Sequence, residues 1–291
     1  MVQTTCQLTY VRSECSNDGM VEPTLPRNQT LSDLLNLNEF EKKVIELVKR
    51  LSHRPLRYRA MNAIDCLIRS WKIHQIDPNM AYFRAMTAKE EAATLLMLTL
   101  KHRGYQNASR LKHRDHFTKS AIYEFLRGIT LFIASSPFND PELRIEKENS
   151  EQERVILYLK VRQIAPPKTV RMAPIPPLHF TANRGGQAVD FQKELRRLHT
   201  DETIKSLRDA VKEDANLRNT ILYASDEGLK TVEEIKPALF VDTKDHLIRM
   251  FIITLMIAPY KETQSFVQQC LDTFVKALKK LEPDRRIITF N

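Results

Sequence analysis

A chain of 291 residues can bury a full hydrophobic core, in one large domain or two smaller ones. Six glycines leave little room for tight turns, and 45 Lys and Arg against 36 Asp and Glu give a net charge of +9, the excess lying between Lys42 and Arg127. That balance favours an anionic partner such as nucleic acid over a membrane: the longest apolar run, Met250 to Ala258, is far too short to span a bilayer.

Cys6, Cys15, Cys66 and Cys270 form no C-x-x-C pair and have no histidine at zinc spacing, so neither a metal nor another cofactor is expected. The N-terminal residues lack the apolar centre of a signal peptide, which predicts a cytoplasmic protein with reduced cysteines. Three- and four-residue apolar spacing covers most of the chain. The expected fold is mainly α, an antiparallel helical bundle with a small β-strand insertion.

Residues 1–29 mix Thr, Ser, Asn and Pro with little periodicity and read as an N-terminal arm. Residues 30–137 form the first helical half. Asn38 followed by Glu41 has capping-box spacing, and Phe40, Val44, Leu47, Val48 and Leu51 mark one helical face before Pro55. A second helix begins near Pro55, with Met61, Ile64, Leu67, Ile68 and Trp71 as its expected buried stripe. Pro78 suits a first helical turn and Gly104 the position past a helix end, which predicts a helix of about seven turns between them. Ala81, Ala85, Ala88 and Ala92 give that helix a small-residue stripe, continued by Leu95, Leu96 and Leu100. Glu90 and Glu91 interrupt it. Adjacent residues lie about 100° apart around a helix, so at least one of the two should sit at the edge of the core.

Basic groups dominate from Tyr105 to Lys119, including Arg110, Lys112 and Arg114, with Asp115 the only carboxylate. Asp115 is a candidate N-cap for a helix reaching about Ser135, which would place His116 and Lys119 on one face of its first turn. Residues 138–182 change texture: Val155-Ile156-Leu157-Tyr158-Leu159 is β-branched and aromatic, and five prolines from Pro166 to Pro177 exclude long helices. This is the strand insertion. Residues 183–291 form the second helical half: a turn at Asn183 to Gly186, helical pattern from Phe191 to Leu222, an extended piece from Ala238 to Val241, a cap at Asp242 or Thr243, and final helices over Leu247–Ile257 and Phe266–Leu281.

Hydrolase and kinase signatures are absent, since no Gly-x-Ser-x-Gly turn and no phosphate loop occur. What remains is acid–base chemistry without a metal. RNA cleavage fits that inventory: the 2′-hydroxyl attacks the adjacent phosphate while a base takes its proton and a cation neutralises the phosphorane. Arg69 with His74, Arg110 with His116, and Arg218 with Asn219 and Tyr223 each put an arginine about one turn from a titratable or hydroxyl group.

Three segments in order resemble the HEPN superfamily and, within it, the AbiV-type abortive infection proteins: the helix from Ala81 to the paired glutamates Glu90 and Glu91, His116-x-x-Lys119, and Arg218-Asn219 with Tyr223 four residues beyond Arg218's neighbour. The family's ribonucleases carry Arg-Asn-x-x-x-His, and Tyr223 stands at the histidine's position. A phenol ionises only near pH ~10 and is a poor base at neutral pH, although its hydroxyl can bond a phosphate. The resemblance implies a HEPN-like bundle, a homodimer, RNA as partner and a metal-independent endoribonuclease in anti-phage defence. It implies Arg218 on the phosphate, His116 as acid or base, Lys119 as added positive charge, Glu90 or Glu91 orienting Arg218 or Lys119, and Asn219 and Tyr223 positioning the strand. Arg110, Lys112 and Arg114 would extend the nucleic-acid contact. The alternative is a catalytically silent interaction protein whose basic face meets nucleic acid or an acidic protein.

Overall fold

The structure, a computed structural model, describes residues 36–135, 138–147, 152–163, 168–179, 183–184, 187–188, 209, 212, 221 and 231–281. The N-terminal arm and most of the 189–230 stretch, with Arg218, Asn219 and Tyr223, lie outside the described residues. Among the described residues the protein is mostly helical, with a small three-stranded antiparallel sheet. No described helix is long and apolar enough to cross a membrane.

Helix α1 spans Glu39–Lys49 and opens with the expected capping box: Glu41 N donates to Asn38 Oδ1 at 2.9 Å and Asn38 N to Glu41 Oε2 at 2.9 Å. Helix α2 runs Arg54–Ile73, with Pro55 in its first turn, where no backbone donor is lost. Its buried face overlaps the expected stripe at Leu67, with Ile64 and Trp71 packed partly buried against the core, but is centred on other residues. Leu56, Ala60, Ala63, Cys66, Leu67 and Ser70 point inward, while Met61 is 46% exposed. The face is rotated because small residues let α2 lie close against α3, Pro78–His102, whose Ala81, Ala85, Ala88, Ala92 and Ala93 are fully buried. Leu95, Leu96, Met97 and Leu100 extend that core, each adding about 1.5–3 kcal/mol for removal from water.

Helix α3 ends as expected. Gly104 takes a left-handed φ of 70°, which a residue without Cβ adopts at no steric cost. Helix α4 covers His116–Ser135 and begins at Asp115, whose Oδ2 accepts from Thr118 N at 3.0 Å and Thr118 Oγ1 at 2.7 Å. Its Ala121, Ile122, Phe125, Leu126 and Ile129 enter the core.

Strand β1, Phe138–Lys147, pairs antiparallel with β2, Glu153–Gln163, from Phe138↔Val161 to Lys147↔Glu153, with an irregularity between Asn139 and Glu142. Strand β3, Lys168–Met172, pairs with the other edge of β2. Val155, Leu157 and Leu159 alternate inward, and the sheet rests on α1, α4 and the helix Pro237–Ile257. On its outer face Arg144 and Arg171 flank the Tyr158 ring, at 5.4 and 4.2 Å from its centroid, and Tyr158 donates to Glu146 at 2.8 Å. A two-residue ladder, β4 Asn183–Arg184 with β5 Gln187–Ala188, flanks the expected turn.

The extended piece expected at Ala238–Val241 is helical. Helix α5 spans Pro237–Ile257, with extended Lys236 as its N-cap, because proline at the first helical position starts a helix. Asp242 and Thr243 therefore lie inside α5, where Thr243 Oγ1 bonds Leu239 O at 2.7 Å. Helix α5 packs across α3 and carries the most apolar stretch, Met250 to Ala258. Helix α6, Ser265–Leu281, closes the bundle against α4, with Phe266, Leu271, Phe274 and Val275 buried.

Candidate functional site

The site lies where the middle of α3 meets the first turn of α4 and the start of α2. Ala88 and Ala92 fix the rotation of α3, and the two glutamates between them then diverge by about 100°. Glu90 turns toward α4. Its Oε1 stands 2.6 Å from His116 Nδ1 and its Oε2 3.3 Å from Lys119 Nζ. Glu91 turns toward α2, where Arg59 Nη1 meets both its oxygens at 3.0 and 2.9 Å.

The side chains of Glu90, Glu91 and Lys119 are only 11–12% exposed, so the Glu90–Lys119 pair acts in a medium less screening than water, whereas Arg59 opposite Glu91 is 43% exposed and more screened. His116 is 38% exposed and forms the solvent side of the group. The Asp115 cap fixes this geometry, since it starts α4 one residue before His116 and puts His116 and Lys119 on the same edge.

The basic segment ahead of α4 is pinned from below. Tyr105 is buried, and its hydroxyl accepts from Gln264 N at 3.0 Å; burial pushes this phenol up to about 12. Gln106 N donates to Gln268 Oε1 at 2.9 Å, and Asn107 Nδ2 donates to Asp272 Oδ1 at 2.9 Å. These bonds hold residues 105–107 on α6 while Arg110, Lys112 and Arg114 stay exposed.

His113 is the residue that sequence reasoning missed. It lies 3.4 Å from Lys101 Nζ, and burial, then the charges of Lys101, Arg114, Arg59 and Lys119, hold its imidazole below the usual range. Burial also lowers Lys101. His113 is therefore neutral at pH 7, surrounded by cations that an arriving phosphate would offset. Arg59 was missed too, because its partner Glu91 is 32 residues away and no local spacing announces the pair.

The structure thus brings together Glu90, His116 and Lys119, places Glu91 beside them on Arg59, and leaves Arg110, Lys112 and Arg114 on the adjoining surface. A carboxylate accepting from Nδ1–H fixes an imidazole's tautomer and orientation, which assigns proton exchange to Nε2. A lysine sharing that carboxylate adds positive charge within reach of a bound phosphate. Among the described residues, no group of three or more His, Cys, Asp or Glu side chains is arranged to hold a metal ion. Compared with family models, curated proteins and solved structures, the chain matches none of them.

Proposed function

We propose that the protein is a HEPN-like helical bundle that binds RNA on the basic face around α4 and cleaves it without a metal. In this reading Lys112 and Arg114 hold the strand electrostatically, Lys119 and Arg218 bear on the scissile phosphate, and His116 moves the proton. Asn219 and Tyr223 position the strand, Arg110 extends the contact, and the active form is a homodimer serving anti-phage defence.

The observation that carries the reading is the Glu90–His116 contact at 2.6 Å with Lys119 on the same carboxylate. A carboxylate that orients an imidazole is the arrangement proton transfer needs, and the neighbouring cations match the charge of a pentacoordinate phosphorane. Incubating a labelled single-stranded RNA with the purified protein in excess chelator tests it. The expected products carry a 2′,3′-cyclic phosphate and a 5′-hydroxyl; intact RNA, or cleavage that stops on chelation, contradicts the mechanism.

A second reading is favoured by one specific observation, the phenol of Tyr223 at the position where HEPN ribonucleases carry histidine. Here Glu90 and Glu91 brace three helices, and the basic face is a binding surface for nucleic acid or an acidic protein, with no cleavage.

A further inference from the structure

A second basic site lies at the C-terminal end of α3. Arg103 lies thirteen positions past Glu90, about 20 Å along the helix axis, and no side chain of the first site lines this one. There the α1–α2 connection, the end of α3, the facing ends of β1 and β2 and the end of α5 enclose a cavity of about 750 Å³. That volume is in the range that holds a small organic ligand.

The cavity has two kinds of lining. Leu47, Leu51 and Leu255 supply apolar surface. Arg50, Arg103, Lys147 and Arg154 supply positive charge, against one carboxylate in the lining, Glu153, which itself lies 3.5 Å from Lys43. Arg50 lies 3.9 Å from Glu46 and Arg154 stands 5.3 Å from the Tyr260 ring centroid, yet four cations from four separate elements around one cavity leave an excess of positive charge there.

Two buried polar atoms sharpen the case. His53 Nδ1 and Arg103 Nε belong to lining residues and have no hydrogen-bond partner among the described residues. Arg103 is nonetheless fixed, since its Nη2 donates to the Ala258 carbonyl. A buried, immobilised guanidinium edge without an acceptor is costly unless something supplies one. The His53 ring is held 3.9 Å from that of His102, whose imidazole is kept below the usual range by burial first and by His53 and Arg103 next. His102 adds no positive charge there at neutral pH.

We propose that this cavity binds a phosphate-bearing small molecule of mononucleotide size, its phosphates on Arg103, Arg50, Lys147 and Arg154 and its ring body on the leucine side chains. An anion relieves the repulsion among the cations, and the apolar side chains distinguish a nucleotide from bare phosphate. The site stands independently of RNA cleavage at His116.

Calorimetric titration of the full chain with ADP, inorganic pyrophosphate and adenosine tests the proposal. ADP binds most tightly, pyrophosphate more weakly, and adenosine weakest. The double variant Arg50→Ala/Lys147→Ala, at two exposed positions, weakens ADP by about 10- to 100-fold with an unchanged unfolding midpoint, as expected for lost charge-assisted bonds. Lys112→Ala/Arg114→Ala leaves ADP affinity unchanged and weakens RNA instead. Equal affinity for ADP and pyrophosphate overturns the nucleotide assignment. No binding of either at millimolar concentration, or ADP affinity indifferent to the Arg50/Lys147 change, overturns the site. Loss of RNA binding in the Arg50/Lys147 variant equal to that in the Lys112/Arg114 variant makes the cavity part of an RNA path and also overturns it.

Discussion

His116 Nδ1 lies 2.6 Å from Glu90 Oε1, across 26 residues of sequence, and the other oxygen of the same carboxylate meets Lys119 at 3.3 Å. One carboxylate therefore orients an imidazole and neutralises an almost buried ammonium. Glu90→Gln keeps the shape and removes the charge, so Lys119 loses its compensation. The expected loss is about 1–3 kcal/mol of stability, and Lys119→Met in the same chain recovers part of it. Urea unfolding of the two single variants and the double variant measures the coupling; strictly additive losses would show that the pair does not interact.

Gly104 gives a cleaner stability test. Its φ is +70°, and a Cβ added there would meet nothing within 4 Å, so only backbone conformation opposes a side chain. Gly104→Ala should cost about 1 kcal/mol through the left-handed conformation alone. A thermal unfolding midpoint equal to wild type would mean that the end of α3 relaxes to a different backbone.

Stability should fall as the solution is acidified, with His246 as one source. Its ring stacks on Tyr123 at 4.5 Å, and burial, then the charge of Lys89, pushes its imidazole down to about 3, with Asp242 opposing and Arg249 adding to the shift. The unfolded imidazole titrates near ~6.5, so between about 6.5 and 3 the unfolded chain binds a proton that the folded chain refuses. The contribution is fully present above about 6.5 and is lost toward 3, with a slope of at most about 1.4 kcal/mol per pH unit. His246→Gln should flatten the decline in urea midpoint between about pH 6.5 and 5, and identical declines in both proteins would contradict the assignment.

How much of this was legible in the sequence differs from element to element. The frame of α3 was legible because Pro78, the alanine stripe and Gly104 are local signals that agree with one another. The Asn38 capping box and the Asp115 cap were legible for the same reason, and the latter put His116 and Lys119 on one edge. The rotated face of α2 was not, since close packing on α3 favours Ala60 and Ala63 over the larger Met61. The start of α5 was misread because Pro237 ends one element and begins another equally well. Arg59 and the cavity wall, assembled from residues as distant as Arg50 and Leu255, exist only once the chain has folded.

Charge on the exposed segment should govern RNA affinity. Lys112→Ala/Arg114→Ala removes two cations, and for single strands each lost phosphate contact lowers the salt slope of log K by about 0.7. A slope reduced by about 1.4 supports contact at this face. An unchanged slope moves the RNA elsewhere.

The most direct measurement is the cleavage rate of one labelled RNA by wild type, His116→Ala and Tyr223→His, with binding measured on the same samples. His116→Ala should bind nearly as wild type and cleave about 10²- to 10⁴-fold more slowly, the usual worth of a positioned acid or base, while Tyr223→His cleaves faster than wild type. Intact RNA with all three proteins, at concentrations where binding is complete, would contradict proton transfer by His116 and leave the basic face as a binding surface alone.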